Sequence, residues 1–146
     1  MTESNDFVQL KIVSDEDIEF LYEMLQERDD TVNVNHKSLP TFEEHEKFVK
    51  MNSYDVWYII LKDSQKIGHI NLDGFEIGWF IKKKYQRFGF VVEAFKKLKQ
   101  THHRSKYQGK INPINISARI FLEKLNFKLK KEYSDYHLYE LENILK

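Results

Sequence analysis

Cysteine is absent from the 146-residue chain, which excludes disulfides, thiolate metal sites and a cysteine nucleophile. Proline (two) and glycine (five) are scarce, so there is little material for long irregular tracts. No apolar run approaches the roughly 18 residues that a membrane span requires. The acidic, polar opening MTESNDFVQ is unlike a secretory or transit peptide. These absences lead us to expect a cytoplasmic protein with no membrane partner. An excess of one charge is missing as well, because 23 Lys+Arg face 23 Asp+Glu. That excludes a protein working by bulk electrostatic attraction to a polyanion or a membrane. What is present is 41% hydrophobic and 14% aromatic residues, enough to bury a core. No linker, repeat or low-complexity tract divides the chain, so residues 1–146 read as one domain.

The neutral total hides an uneven distribution. Residues 1–46 hold 13 acids against three bases, a balance of −10. Residues 82–110 hold ten bases against the single acid Glu93, a balance of +9. Lysine-rich solvated helix faces account for the second stretch as readily as an anionic ligand does.

Val8–Val13 alternates and predicts a strand. Ser14 then caps a helix with Ile18, Leu21, Tyr22 and Leu25 on one face. Asp29–Pro40 lacks an apolar period and reads as a loop. Thr41 with Glu44 forms a capping box for a helix to about Met51. Strands are expected at 55–62, 66–72 and 75–81, the last two joined by an Asp73-Gly74 hairpin turn. A helix over 89–100, a short strand over 110–114, a helix over 116–125 and a hairpin of 128–133 with 137–141 complete the chain. The order β-α-α-β-β-β-α-β-α-β-β predicts an α/β (α+β) fold. Its mixed, mainly antiparallel sheet of about six to seven strands carries helices on both faces.

The stretch Lys82 to Val91 joins a strand to a helix and places Gly89 where the helix begins. A helix start has free N–H groups and the positive end of the macrodipole, which suits phosphate. Gln86-Arg87-Phe88-Gly89-Phe90-Val91 resembles the Q/R-x-x-G-x-G/A pyrophosphate loop of the GNAT superfamily, the acyl-CoA-dependent N-acetyltransferases. Asn115 to Phe127 is similar to that superfamily's later motif, N-x-x-A/S-x-x-x-Y-E-K-x-G-F. The order of elements agrees along nearly the whole chain.

The resemblance implies acetyl-CoA as acyl donor, with no metal. The loop of Gln86, Arg87, Phe88, Gly89, Phe90 and Val91 would hold the pyrophosphate through backbone N–H groups. The strand at Trp79, Phe80 and Ile81 would pair with the pantetheine amides, and Asn115 would reach the same arm. Leu122, on the Asn115 and Ala118 face of the last major helix, stands where the family often has the tyrosine that protonates the leaving thiolate. Val91 replaces a Gly or Ala, and Asn126 a Gly. Glu76 occupies the strand position where several members place the carboxylate that deprotonates the amine; a solvated sheet-face carboxylate is its plainer reading.

The acceptor side is less legible. Arg28 through Asn35-His36-Lys37 to Glu44-His45 and Phe48 looks like the matching region of GNAT enzymes that acetylate amino groups of nucleotide-linked sugars in surface-glycan pathways. His36, Lys37 and His45 are the substrate-binding candidates, though each alone also reads as an ordinary surface residue. Phe121-Leu122-Glu123-Lys124 is instead similar to the ribosomal-protein N-terminal acetyltransferases. A small-molecule amine is therefore the expected acceptor, with a protein N-terminus and a non-catalytic acyl-CoA-binding module as alternatives. No nucleic-acid partner is expected, because no recognised module accompanies the basic stretch, and the family makes a homodimer plausible. His102-His103 has no further ligand at metal spacing.

Overall fold

The computed structural model describes residues 8–28, 39–86 and 88–142. Four helices and seven strands follow the expected order. They are β1 (Gln9–Ile12), α1 (Ile18–Glu27), α2 (Phe42–Met51), β2 (Val56–Lys62), β3 (Gln65–Asp73), β4 (Glu76–Ile81) and α3 (Phe90–Thr101), then β5 (Lys106–Ile111), α4 (Ile116–Lys124), β6 (Lys128–Glu132) and β7 (His137–Glu142). Short 3-10 turns occupy Asp15–Asp17 and Lys83–Tyr85. The strands form one sheet in the order β1-β2-β3-β4-β5-β7-β6. Every neighbouring pair is antiparallel except β4 and β5, which run parallel.

Side chains alternate across the sheet and separate two cores. One face packs Ile67, Ile70, Leu72, Ile77 and Ile81 against α3 and α4, through Phe95, Leu98 and Leu122. The other packs Trp57, Ile59 and Phe80 against α1 and α2, through Ile18, Leu21, Met24 and Val49. Along β4, Ile77, Trp79 and Ile81 join the first core, while Glu76, Gly78 and Phe80 lie on the α1–α2 face.

Local chemistry sets the boundaries. Thr41 Oγ1 accepts from Glu44 N at 3.1 Å, and Glu44 Oε1 accepts from Thr41 N at 2.9 Å, the reciprocal bonds of the expected capping box. Asn126 closes α4 with φ +71°, and Phe127 N donates to Leu122 O at 3.0 Å. Two expectations are corrected. The strand expected at 110–114 is β5 at Lys106–Ile111. There Tyr107, Gly109 and Ile111 face the core while Lys106, Gln108 and Lys110 face outward, and the turn at Asn112-Pro113 ends the strand. Asn112 Oδ1 accepts from Ile114 N at 3.1 Å, and Pro113 has no N–H to extend the ladder. The β3–β4 turn is one residue later than expected: Asp73 pairs with Glu76, so Gly74 and Phe75 make the connection. The loop expected at Asp29–Pro40 lies mostly outside the described residues.

Candidate active site

β4 and β5 share one ladder pair, Glu76 with Gln108, supported by Gln108 N donating to Phe75 O at 2.6 Å. Beyond that pair no ladder joins them, so the β4 edge from Ile77 to Ile81 is left without a strand partner on the β5 side. An unpaired edge presents alternating N–H and C=O groups to any extended amide-bearing chain laid along it. On the α4 side of this opening Trp79 meets Phe121, their ring centroids 4.7 Å apart.

The opening leads to the β4–α3 loop. Gln86 Nε2 donates to Ile81 O at 2.9 Å, which ties the loop to the end of β4. Tyr85 Oη donates to Gln65 Oε1 at 3.0 Å and anchors it to β3. Gly89, the N-cap of α3, has φ +82°, a conformation that side chains with a Cβ resist. A Cβ there would meet nothing within 4 Å, so the backbone is open to a ligand. Gly89 has no side chain, so the cap residue itself offers the first-turn N–H groups no side-chain acceptor. Phe88 is exposed beside the cap, and Phe90 is buried beneath it. Val91 is half-buried, while Arg87 lies outside the described residues. The donor set fits a diphosphate: a glycine cradle, a helix N-terminus and neighbouring lysines.

Asn115 caps α4, its Oδ1 accepting from Ala118 N at 3.1 Å. That bond uses the oxygen and leaves the amide NH2 to donate elsewhere. Leu122 has no exposed surface, and its methyl carbons would stand 3.2 Å from a Cβ placed on Gly109 of β5. It therefore fills the core behind the opening. Glu76 is exposed at the closed end of the opening, its Oε1 3.4 Å from Lys110 Nζ. Lys110 also lies over the Tyr136 ring at 5.2 Å.

Of the three acceptor-side candidates, only His45 falls among the described residues. His36 and Lys37 lie outside the described residues. His45 is only 3% exposed; its Nε2 bonds to Ile18 O at 2.9 Å, and its ring packs on Tyr22 and Phe42. Burial lowers its pKa, although the carbonyl opposes this. His45 thus joins α2 to α1 rather than facing an open cleft. Sequence reasoning passed over His69 and Asn71, two polar residues at inward positions of β3 on the α1–α2 face. Their i, i+2 spacing in an apolar strand was the available signal. Asn71 is 7% exposed, and a Cβ on Gly78 would lie 2.9 Å from its Oδ1, so only glycine admits the amide there. Trp57 Nε1 donates to His69 Nδ1 at 3.3 Å. Burial first, then Arg28 and His45, push the His69 pKa down to about 3, so the ring is neutral.

Residues 8–128 match the family model of the acetyltransferase (GNAT) domain. The chain belongs to the GNAT acetyltransferase family. As a GNAT protein it is an acyl-CoA-dependent acetyltransferase. No curated protein matches the sequence. Among solved structures, a domain from Methanocaldococcus jannaschii aligns with this GNAT domain at TM-score 0.79 and 20% identity, over 93% of this chain and 98% of that one. An acetyltransferase from Salmonella typhimurium that modifies the N-terminal serine of a 50S ribosomal subunit protein gives 0.76 at 15% identity, over 94% and 96%. The self-immunity acetyltransferase MccE, solved with acetyl-CoA and AMP, gives 0.76 at 14% identity, over 94% and 93%. At these identities the likeness shows the shared GNAT fold. Among the described residues no helix is long and apolar enough to cross a membrane.

Proposed function

We propose that the protein transfers an acetyl group from acetyl-CoA directly to the primary amine of a small molecule, in particular an amino sugar of a surface-glycan pathway. The observation that carries the donor half is the unpaired β4 edge running into the open Gly89 helix start. Acetyl-CoA supplies the acetyl group as a thioester: the neutral amine nitrogen bonds the carbonyl carbon, the C–S bond breaks with the sulfur leaving as thiolate, and the nitrogen gives up one N–H proton to water as the amide forms.

In this reading the backbone of Trp79, Phe80 and Ile81 receives the pantetheine amides as an added strand, and the N–H groups from Phe88 to Val91 receive the pyrophosphate. Gln86 acts by holding Ile81 O and so sets the loop. The Asn115 amide NH2 donates to the pantetheine arm. An attacking amine must be neutral, whereas a lysine-type ammonium has a pKa of about 10.4. Glu76, exposed and beside Lys110, takes the ammonium proton through water. Leu122 cannot donate a proton, but a thiol with a pKa of about 8.5 departs as thiolate without one. Absence of cysteine leaves direct transfer in a ternary complex as the route.

Likeness of Phe121–Lys124 to ribosomal-protein acetyltransferases supports a second acceptor, a protein N-terminus, whose α-amine at pKa about 7.7–8 asks less of a base. Calorimetric titration with CoA tests the donor half; failure to bind at about 1 mM, near the weak end of ligand affinities, would overturn it. Release of CoA thiol with amino sugars, but not with N-terminal peptides, supports the primary acceptor, and the reverse supports the second. CoA binding without turnover of any amine would leave a non-catalytic module.

A further inference from the structure

The CoA-side features leave a group of polar side chains on the opposite, α1–α2 face without a role. Arg28, at the end of α1, lies 5.9 Å from the Phe80 ring centre. Its Nε is buried and has no hydrogen-bond partner, and no carboxylate pairs with the guanidinium among the described residues. A buried, unspent charged donor is costly and calls for an explanation. Three more unspent groups gather near it. Among the described residues neither the Asn71 amide nor the Tyr54 hydroxyl has a hydrogen-bond partner. Because Trp57 can only donate, His69 Nδ1 accepts, and the proton of the neutral ring resides on Nε2 as a second unspent donor.

Register fixes their order. His69 stands opposite Phe80 and Asn71 opposite Gly78, while Asp73 pairs with Glu76. Tyr54 packs edge-on to Trp57 with ring centres 4.9 Å apart. Its hydroxyl experiences burial first, then the Arg28 charge and those of Asp73 and Glu76. The face thus runs from Arg28 over Phe80, past Asn71 and Tyr54, to the Glu76 carboxylate. Glu76 and Phe80 are four residues apart, or about 13 Å of strand.

We infer that Arg28, His69, Asn71 and Tyr54 form an anion subsite that receives a phosphate or carboxylate of the acceptor, while its amine lies toward Glu76. This deepens the acetyl-transfer reading and rests on it for the amine end alone. A guanidinium offers forked donors that suit either oxyanion, and the Phe80 ring beneath it excludes water. His45 is the remaining titratable group close to His69, and its bond to Ile18 O keeps it out of the subsite.

Binding and turnover test the two readings separately. The chain has two tryptophans, and Trp79→Phe identifies the Trp57 indole N–H resonance, which reports directly on His69. With CoA present to occupy the α3 end, glucosamine, glucosamine 6-phosphate and glucosaminic acid are titrated in turn. The expected result is a saturable shift of the Trp57 signal with the phosphate or the carboxylate compound, at least about tenfold tighter than with glucosamine. The arm that responds names the oxyanion. Arg28→Gln should remove that preference while Arg28→Lys retains part of it, and calorimetric CoA affinity confirms that each variant is folded. Equal affinity for all three compounds, no shift with any of them, or unaltered anion binding in Arg28→Gln overturns the subsite. Anion binding without CoA-thiol release from any amine instead overturns acetyl transfer and leaves the subsite standing.

Discussion

At the scale of single residues, Glu76 and Leu122 show how position divides roles. Glu76 is solvent-exposed and paired with Lys110 at 3.4 Å. Its proposed work is proton acceptance through water. Glu76→Gln should therefore lower kcat by about 10²-fold, the lower end of general-base effects, with CoA affinity unchanged. Steady-state rates and calorimetry check this, and an unaltered pH–rate profile would remove Glu76 from the role. Leu122 has no exposed surface and packs on Gly109. Leu122→Ala should cost about 2–5 kcal/mol in urea unfolding, the usual range for emptying such a site. The methyl groups that would be lost hold α4 against β5, so the cost is one of packing and not of proton transfer.

At the scale of elements, the site depends on where helices begin and strands part. Helix α2 starts in the Thr41–Glu44 capping box. It carries His45 and Phe48, which pack against α1 and against Trp57 and Tyr54 respectively. Thr41→Ala should lower stability by about 1 kcal/mol and Thr41→Ser by much less, measured by thermal unfolding. A larger loss would mean that the cap also supports the Tyr22 Oη to Pro40 O bond, 2.9 Å long and immediately before it. At the far edge β6 is exposed along its length and rich in lysine, with a bulge between Leu129 and Lys131. Such features discourage pairing with another chain's edge.

At the scale of the whole molecule, the basic stretch 82–110 does not form one patch. Lys82 approaches Glu27 at 4.0 Å, Arg104 approaches Asp55 at 3.5 Å, and Lys110 approaches Glu76 at 3.4 Å, so part of its charge is met by acids from elsewhere in the chain. Desolvated titratable groups set the response to acid. His69 has a folded pKa of about 3 against an ordinary 6.5, so the unfolded chain binds more protons between those values. Stability should thus fall as pH drops below about 6.5. Asp17 has no exposed surface, and burial alone would raise its pKa. Lys11 at 2.8 Å, Lys66 at 2.6 Å and the Ser14 N–H at 2.9 Å outweigh that and lower it. Its contribution is present above the ordinary 3.8 and is lost as pH falls through the lower folded value. Thermal midpoints should decline in two stages, and His69→Gln should shrink the first while leaving the second. A single decline confined to the carboxylate range would show that His69 is not desolvated.

Sequence alone determined the order of elements, the Thr41 cap and the Gly89 helix start. Each rests on short-range chemistry: periodicity, a side chain three residues from its partner, or a backbone angle that few residues adopt. The end of β5 is local too, because Pro113 stands between Ile111 and Ile114 and stops the strand at Ile111. Tertiary structure alone decided that His45 is a buried tie between helices and that Leu122 is core. It also brought Arg28, Tyr54, His69 and Asn71 to one face near Glu76. These positions span 49 residues from Arg28 to Glu76 (28 through 76), so strand register and helix packing join them, and no local pattern encodes that meeting. The zero net charge with which the chain begins is the sum of acids and bases that only the fold brings into pairs.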